Sequence, residues 1–406
     1  MTTSGASQFT AADSITGYLY QVRIALLLSL RRLPAGADFL VSVETLDDVT
    51  FETLGGTPQE LLQTKHHRQR EAMLTDASPD LWKTLRIWLE AYHAGQIVAG
   101  TALYLLTTAQ SPSGSAASYL RTAGRDVEVA LAALEATAQS STNQTNASAY
   151  AVFLKTQAAT LRSILNDVVV IDSSPSITAL DQELRTVVFS AVERKHLESF
   201  LVRLEGWWFR RVLQQLTTSG DRILADELES QMSDLREQFK QESLPIDDDL
   251  LNFTLDEANQ AAHADSPFVR QIELTKAAKT RIFAAVRDYY RAFVQRSRWI
   301  REDLLLVGEL TKYERRLLEE WELAFAAMTD RCGEAATEET KERLARELLE
   351  WAEQAAPTRV QIRPRVTEPF VTRGSLHMLA DKLVVGWHPE FRERLSALLK
   401  AQGAVA

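Results

Sequence analysis

The stretch DFLVSVETLDDVTFETLGGTPQELLQTKHH, residues 38–67, decides the fold of the first part of the chain. Asp38 to Leu46 alternates apolar and polar residues over its second half. Val49 to Leu54 sets Val49 and Phe51 on one face and Thr50 and Glu52 on the other. A period of two marks a half-buried strand. Gly55-Gly56-Thr57-Pro58 is a turn cluster, and Glu60 to His67 is short enough to be a third strand. Working outward, Gly17 to Leu33 carries Tyr18, Val22, Ala25, Leu26 and Leu30 at helical spacing and stops at Pro34-Ala35-Gly36. Leu81 to His93 repeats the pattern with Trp82, Leu85, Trp88 and Leu89 behind a Ser78-Pro79-Asp80 start. Ala102 to Thr107 then reads as a buried strand. The order is helix, three strands, helix, strand: a small α/β unit.

Past this unit the pattern changes. Ser111 to Ser118 is rich in Ser, Gly and Pro and reads as a linker, and Gln139 to Ser148 reads as a second low-complexity loop. Helical patterns follow at 127–138, 150–165, 176–218 with interruptions, 222–241, 267–327 and 338–354. Gly374 to Leu399 closes the chain with a short helix, a turn at Gly386-Trp387-His388-Pro389 and another helix. The expected division is an α/β domain over residues 1–112, a helical middle region over 113–265 and a helical C-terminal domain over 266–406.

Composition narrows the function classes. The 406 residues hold 45 Lys and Arg against 55 Asp and Glu, a net charge of -10. Such a chain is not expected to coat nucleic acid indiscriminately, because phosphate binding needs clustered cations. Cys332 stands alone, which excludes an intramolecular disulfide framework and a Cys-rich zinc module and fits a reducing cytoplasm. Apolar runs such as Val129 to Leu134 are far too short for a membrane span, and Met1 to Thr10 has no basic start of a secretory signal. No GxGxxG, HExxH, GxSxG or phosphate-loop lysine motif occurs, so dinucleotide binding, zincin, hydrolase-elbow and nucleotide-hydrolysis chemistry lack support.

What the α/β unit does carry is a set of polar residues on its strands. Glu44 lies near the end of the first strand, Asp47 and Asp48 open the second, and Gln63 and Lys65 share a face of the third. Carboxylates beside a lysine suit phosphodiester hydrolysis: acids hold a divalent cation against the phosphate, while lysine orients water and offsets charge. Mg²⁺, or Mn²⁺ in its place, needs only one or two carboxylates, which the amide oxygen of Gln63 could supplement. Lys65 taken alone would be a solvated strand lysine; its neighbours favour the catalytic reading. His66 and His67 point to opposite faces of a strand and do not easily share one ion, so His66 is expected at most to support a phosphate.

The run Gly17-Tyr18-Leu19-Tyr20-Gln21, with Glu44-x-x-Asp47-Asp48 and Gln63-Thr64-Lys65-His66, resembles the PD-(D/E)xK nuclease superfamily, and more narrowly the double-stranded DNA endonuclease effectors of bacterial anti-phage systems. The resemblance implies a restriction-endonuclease-like α/β domain followed by a predominantly helical remainder. It gives Asp48 the metal-binding role, in competition with Asp47, and makes Glu44 a further metal ligand. It gives Lys65 the catalytic role and Gln21 a supporting role, and it sets Gln63, a ligand through its amide oxygen, where most of the superfamily has Asp or Glu. A second resemblance rests on Phe268 to Ile272, Arg287 to Phe293, Trp299, Tyr313-Glu314, Arg316-Leu317, Glu320-Trp321, Gly374 to Asp381 and Gly386 to Pro389, which are similar to the C-terminal region of ABC-three-component system proteins. Together the halves resemble the nuclease subunits of Lamassu defence systems. That implies an SMC-like ABC ATPase and a small accessory subunit as partners and a nuclease held inactive until foreign DNA is sensed. Because a single site cuts one strand, self-association of the active form is also expected.

Two further expectations follow from the residues. Arg270 to Arg301 holds nine Lys and Arg against two acids, with aromatic residues between them, and suits an acidic partner surface, another protomer, DNA or a solvated face. Asp247-Asp248-Asp249 lacks the spacing of a calcium loop and reads as a turn with a helix cap. The rival to the nuclease is a non-catalytic scaffold, a degenerate nuclease fold that binds DNA or partners; glutamine at position 63 keeps it open.

Overall fold

The computed structural model describes residues 11–36, 38–66, 72–256, 262–333 and 335–396, so His67 lies outside the described residues. The chain forms two compact units, residues 1–235 and 236–406.

The first unit is built on a six-stranded mixed sheet. After helix α1 (Ala11–Arg32), strands β1 (Leu40–Val43), β2 (Val49–Glu52) and β3 (Pro58–Lys65) form an antiparallel meander. Helix α2 (Pro79–His93) then returns the chain to β4 (Ala102–Thr107), which pairs parallel to β3. This is the order read from the sequence. The sheet, however, does not stop at residue 112. Beyond α3 (Ala116–Tyr119), α4 (Val127–Ser140), α5 (Ala147–Lys155) and α6 (Ala158–Asp167), strand β5 (Val168–Ile171) adds parallel to β4. After α7 (Leu180–Val188) and α8 (Leu197–Thr217), the two-residue β6 (Ile223–Leu224) pairs antiparallel with β1, and α9 (Ala225–Gln238) follows it directly. The order across the sheet is β5-β4-β3-β2-β1-β6.

The expected boundary at 112 is therefore displaced, and for identifiable reasons. Val168 to Ile171 is a short β-branched run directly behind a helical pattern, and such a run is indistinguishable from buried helix by periodicity. The expected linker is structure: Ser115 caps α3, Ala116 and Ala117 are fully buried, and the Ser111 N–H donates to Asp172 Oδ2 at 2.7 Å. The boundary at 265 also falls inside a unit.

Side-chain parity places the layers. Leu61, Leu103, Leu105, Val168 and Val170 face one side of the sheet and pack with Trp82, Leu85, Trp88 and Leu89 of α2, Leu131 and Leu134 of α4, and Phe153 of α5. Alternation sends the intervening residues to the opposite face, where Arg32 of α1 pairs with Glu60 and lies over the Phe51 ring. There α1 is pinned to α7 and α8: Arg23 bonds Asp181 and Glu205, each at 2.6 Å, and the Trp208 indole donates to the Val22 carbonyl at 2.8 Å. Two helical layers thus enclose the sheet.

The second unit is helical: α10 (Asp248–Leu251), α11 (Pro267–Leu274), α12 (Lys279–Arg301), α13 (Glu309–Cys332), α14 (Glu338–Gln354), α15 (Ala356–Arg359) and α16 (Pro369–Asp381). Helices α12 and α16 pack closely at Gly374, where a Cβ would stand 2.1 Å from the Asp288 carbonyl oxygen. The Trp299 indole donates to the Pro245 carbonyl at 2.7 Å and the Trp321 indole to that of Gly386 at 2.9 Å; Trp387 is fully buried. The basic stretch finds much of its acidic surface inside its own unit. Arg270 pairs with Asp265 and Glu273, Arg281 with Glu353, Arg296 with Glu314, and Arg298 with Asp247 and Asp249. The Asp247 and Asp249 carboxylates are thereby engaged, and the Asp247 side chain makes no cap to α10. Among the described residues no helix is long and apolar enough to cross a membrane.

Candidate active site

The site lies where β2 begins and β3 ends. β2 pairs Val49 with Leu62, which brings the residues just before Val49 alongside those just after Leu62. Asp47, Asp48, Gln63, Thr64 and Lys65 thereby meet, with Glu44, Gln21 of α1 and Lys83 of α2, around a cleft of about 470 Å³. The turn between β1 and β2 is tight: the Glu44 N–H donates to the Asp48 carbonyl at 3.1 Å, and Glu44 sits at φ 53°. That left-handed conformation costs a non-glycine residue on the order of 1 kcal/mol, and it holds the Glu44 side chain at the cleft.

Within the cleft the polar groups form one connected run. Lys65 Nζ donates to Gln63 Oε1 at 2.7 Å. Gln63 Nε2 donates to Asp48 Oδ1 at 3.1 Å and also to Asp47 Oδ1. Asp48 Oδ2 accepts from the Thr64 N–H at 2.7 Å and from the Thr64 hydroxyl at 2.9 Å. Asp47 Oδ2 accepts from the Trp88 indole at 2.7 Å, and its Oδ1 also takes the Asp48 N–H at 3.0 Å. Gln21 hydrogen-bonds Glu44.

Asp47 and Asp48 thus have different surroundings. Asp47 is 6% exposed, clamped from beneath by α2, and burial pushes its carboxyl up to about 6, against the pull of the Trp88 and Gln63 donors. Burial also raises Glu44, reinforced by the charge of Asp48 and opposed by Gln21, Lys65 and Lys83. Among the described residues no three or more His, Cys, Asp or Glu side chains group as a metal site. Glu44 therefore lines the cleft without closing a three-carboxylate cluster. What does converge is a pair of carboxylates on one amide NH₂. A partial positive charge set on a carboxylate marks a point where a cation is well stabilised. Asp48 and the Gln63 amide, with Glu44 lining the same cleft, thus fit a hard ion that keeps its own waters, while Asp47 is engaged behind them by Trp88.

The expected residues Gln21, Glu44, Asp47, Asp48, Gln63 and Lys65 all line this cleft. His66 does not line this cleft but an adjoining hollow; its Nε2 accepts from the Ile177 N–H at 3.3 Å and its ring lies 5.0 Å from that of Tyr20. His93 is exposed at the end of α2, and His388 is buried in the second unit. Sequence reasoning missed Thr64, Trp88 and Lys83. Thr64 lies between Gln63 and Lys65 and was available from the same strand. Trp88 reads from its spacing as core, and its indole N–H gives no sequence signal of its distant carboxylate.

Comparison with known proteins addresses the second unit. Residues 268–395 match the family model CTD7, described as C-terminal domain 7 of the ABC-three component (ABC-3C) systems. The match supports membership of the chain in such a defence system. The residues quoted for that region, Trp299, Trp321, Gly374 and Trp387, are those that pack its helices. No curated protein matches. A solved structure, the Acinetobacter baumannii Cap4 SAVED/CARF-domain containing receptor, aligns with 71% of this chain and 61% of its own length at 12% identity; its TM-score of 0.32 is too low to bear on the fold.

Proposed function

We propose that the first unit is a PD-(D/E)xK-type, metal-dependent endonuclease acting on double-stranded DNA, and that the chain is the nuclease effector of its defence system. The observation that carries this reading is the run Lys65–Gln63–Asp47/Asp48 at adjoining strand ends, inside an open cleft. The order α1, β1, β2, β3, α2, β4, with β3 and β4 parallel, supports it.

Asp48, the Gln63 amide oxygen and Glu44 would hold Mg²⁺ or Mn²⁺, which when bound offsets phosphate charge and acidifies water. The chain's own groups do the rest. Asp47, fastened to Trp88, fixes where the Gln63 amide lies. Turning that amide about its terminal torsion exchanges its NH₂ for its oxygen at the carboxylates and releases Lys65 from Gln63 Oε1; such torsions are broad and soft. Lys65 is then free to orient the attacking water and to neutralise charge on the phosphorane. Thr64 keeps Asp48 aimed. Residues 1–110 carry 8 Lys and Arg against 11 Asp and Glu, so the lone unit grips DNA weakly and an assembly supplies basic surface. An SMC-like ABC ATPase, a small accessory subunit and a second copy of this chain are the partners this reading assigns, in the bacterial cytoplasm.

The test is plasmid cleavage by the complex purified with its partner subunits, in Mg²⁺ or Mn²⁺ with linear DNA added. Wild type should linearise or nick the plasmid, and Lys65→Ala should be inactive at an unchanged melting temperature. Cleavage by Lys65→Ala at the wild-type rate sinks the assignment. The scaffold reading has one observation of its own, the Gln63 NH₂ standing where a cation would. Calorimetry separates the two: a nuclease takes up Mg²⁺ more tightly beside a duplex, whereas a scaffold shows no such dependence.

A further inference from the structure

Next to the cleft lies a second cavity, of about 450 Å³, that shares Thr64, Lys65 and Lys83 with it. The two hollows share Lys65 and Lys83 but differ in charge. The first sets Glu44, Asp47 and Asp48 against these lysines; the second adds Arg86 and His66 to them, against the single acid Asp80. Lys83 and Arg86 are three residues apart on α2, which sets them on one helix face, neighbours along its axis. The Arg86 guanidinium is steadied from α5: its Nη1 donates to Ser148 Oγ at 2.9 Å. Its Nε is buried without a hydrogen-bond acceptor; one turn on, Glu90 forms an ion pair with it at 3.8 Å but makes no hydrogen bond.

We infer that this second cavity is a phosphate-binding subsite that seats two consecutive backbone phosphates of the DNA strand next to the one held in the first cleft. Lys83, common to both hollows, meets the nearer phosphate, and Arg86 the next. An acidic pocket for a cation beside a basic pocket for anions is what a polyanion cut at one point requires, and the shared wall gives the strand a direction, from the carboxylates past Lys65 towards Arg86. The assignment rests on the nuclease reading for its ligand but not on cleavage for its test.

The experiment measures binding of a fluorescein-labelled duplex by the full complex in EDTA, where no cutting occurs, from 50 to 200 mM KCl. Each phosphate neutralised contributes about 0.9 to the slope of log K against log salt. Changing Lys83→Gln and Arg86→Gln together should weaken binding and make the slope shallower by about 1.8. The charge-conserving pair Lys83→Arg and Arg86→Lys should restore the wild-type slope, which excludes a folding defect. An unchanged slope in the double glutamine variant overturns the subsite, as does failure of wild type to bind the duplex. A slope that changes while the wild-type complex never cuts a plasmid leaves the subsite standing and removes the nuclease. Cleavage by wild type together with an unchanged slope removes the subsite alone.

Discussion

Replacing Asp47 by asparagine tests the electrostatics of the site without any ligand. In the native protein this carboxyl titrates at about 6, raised from 3.8 chiefly by burial. Between those two values the folded state binds a proton that the unfolded state has released. Stability therefore falls as pH rises through that window and stays reduced above it. A difference of about 2.2 pH units, at 1.36 kcal/mol each, amounts to about 3 kcal/mol at neutral pH. The Asp47→Asn variant would lose this term entirely. It would also lose hydrogen bonds, since one amide oxygen cannot serve Trp88, Gln63 and the Asp48 N–H together, but that loss does not change with pH. The assay is calorimetric melting of wild type and Asp47→Asn from pH 4 to pH 8. For a first unit ending at Leu235 the unfolding entropy is about 0.5 kcal/mol/K; about 2.4 kcal/mol of the term falls between pH 4 and pH 7, so the wild-type melting temperature should drop against that of the variant by about 5 °C over that range. Parallel curves refute the reasoning, because they mean that Asp47 is no more costly to ionise in the fold than in the unfolded chain.

Three further outcomes are expected. Trp88→Phe keeps the packing but removes the indole donor from Asp47, and should destabilise the first unit by about 1.5–3 kcal/mol above pH 7, less at pH 4, in the same melting series. Gly374→Ala forces a methyl group onto the Asp288 carbonyl at 2.1 Å and should abolish folding of the second unit or lower its melting point by about 10 °C or more, on the order of 3 kcal/mol; an unchanged scan counts against this packing. Arg296 is 6% exposed and bonds Ser375 and Glu314, so Arg296→Ala should cost that unit about 3–5 kcal/mol by stranding the acid, whereas Arg296→Met should cost less. Denaturant titration ranks the two.

The fold was most legible where a single period governed a whole element. Val49 and Phe51 against Thr50 and Glu52, and the Trp82, Leu85, Trp88, Leu89 stripe, place β2 and α2 with little ambiguity. β5 and β6 were not legible. Val168 to Ile171 continues the apolar content of the helix before it, and Ile223-Leu224 is too short to show a period; both become strands because β4 and β1 offer unpaired edges. The site followed the same division. Gln63 and Lys65 on one strand face, opposite an aspartate pair, can be read from spacing. The clamp of Asp47 by Trp88 cannot, because it joins positions 41 apart through packing. The cations of α12 were misleading in isolation, since Glu314, Glu353 and Asp249, which neutralise three of them, come from other elements of that unit.

Strands β5 and β6 carry a consequence for how the protein is made. The strands that line the cleft occupy the middle of a sheet whose two borders come from residues 168–171 and 223–224. A chain emerging from the ribosome has synthesised Lys65 long before it can cover either border, and the pairings that complete the sheet span more than 60 and more than 180 residues. Such long-range closure is slow. A nascent or truncated chain ending near residue 112 would present two bare sheet edges, the setting for edge-to-edge aggregation. A fragment ending there would hold every residue of the cleft on a sheet with neither border covered.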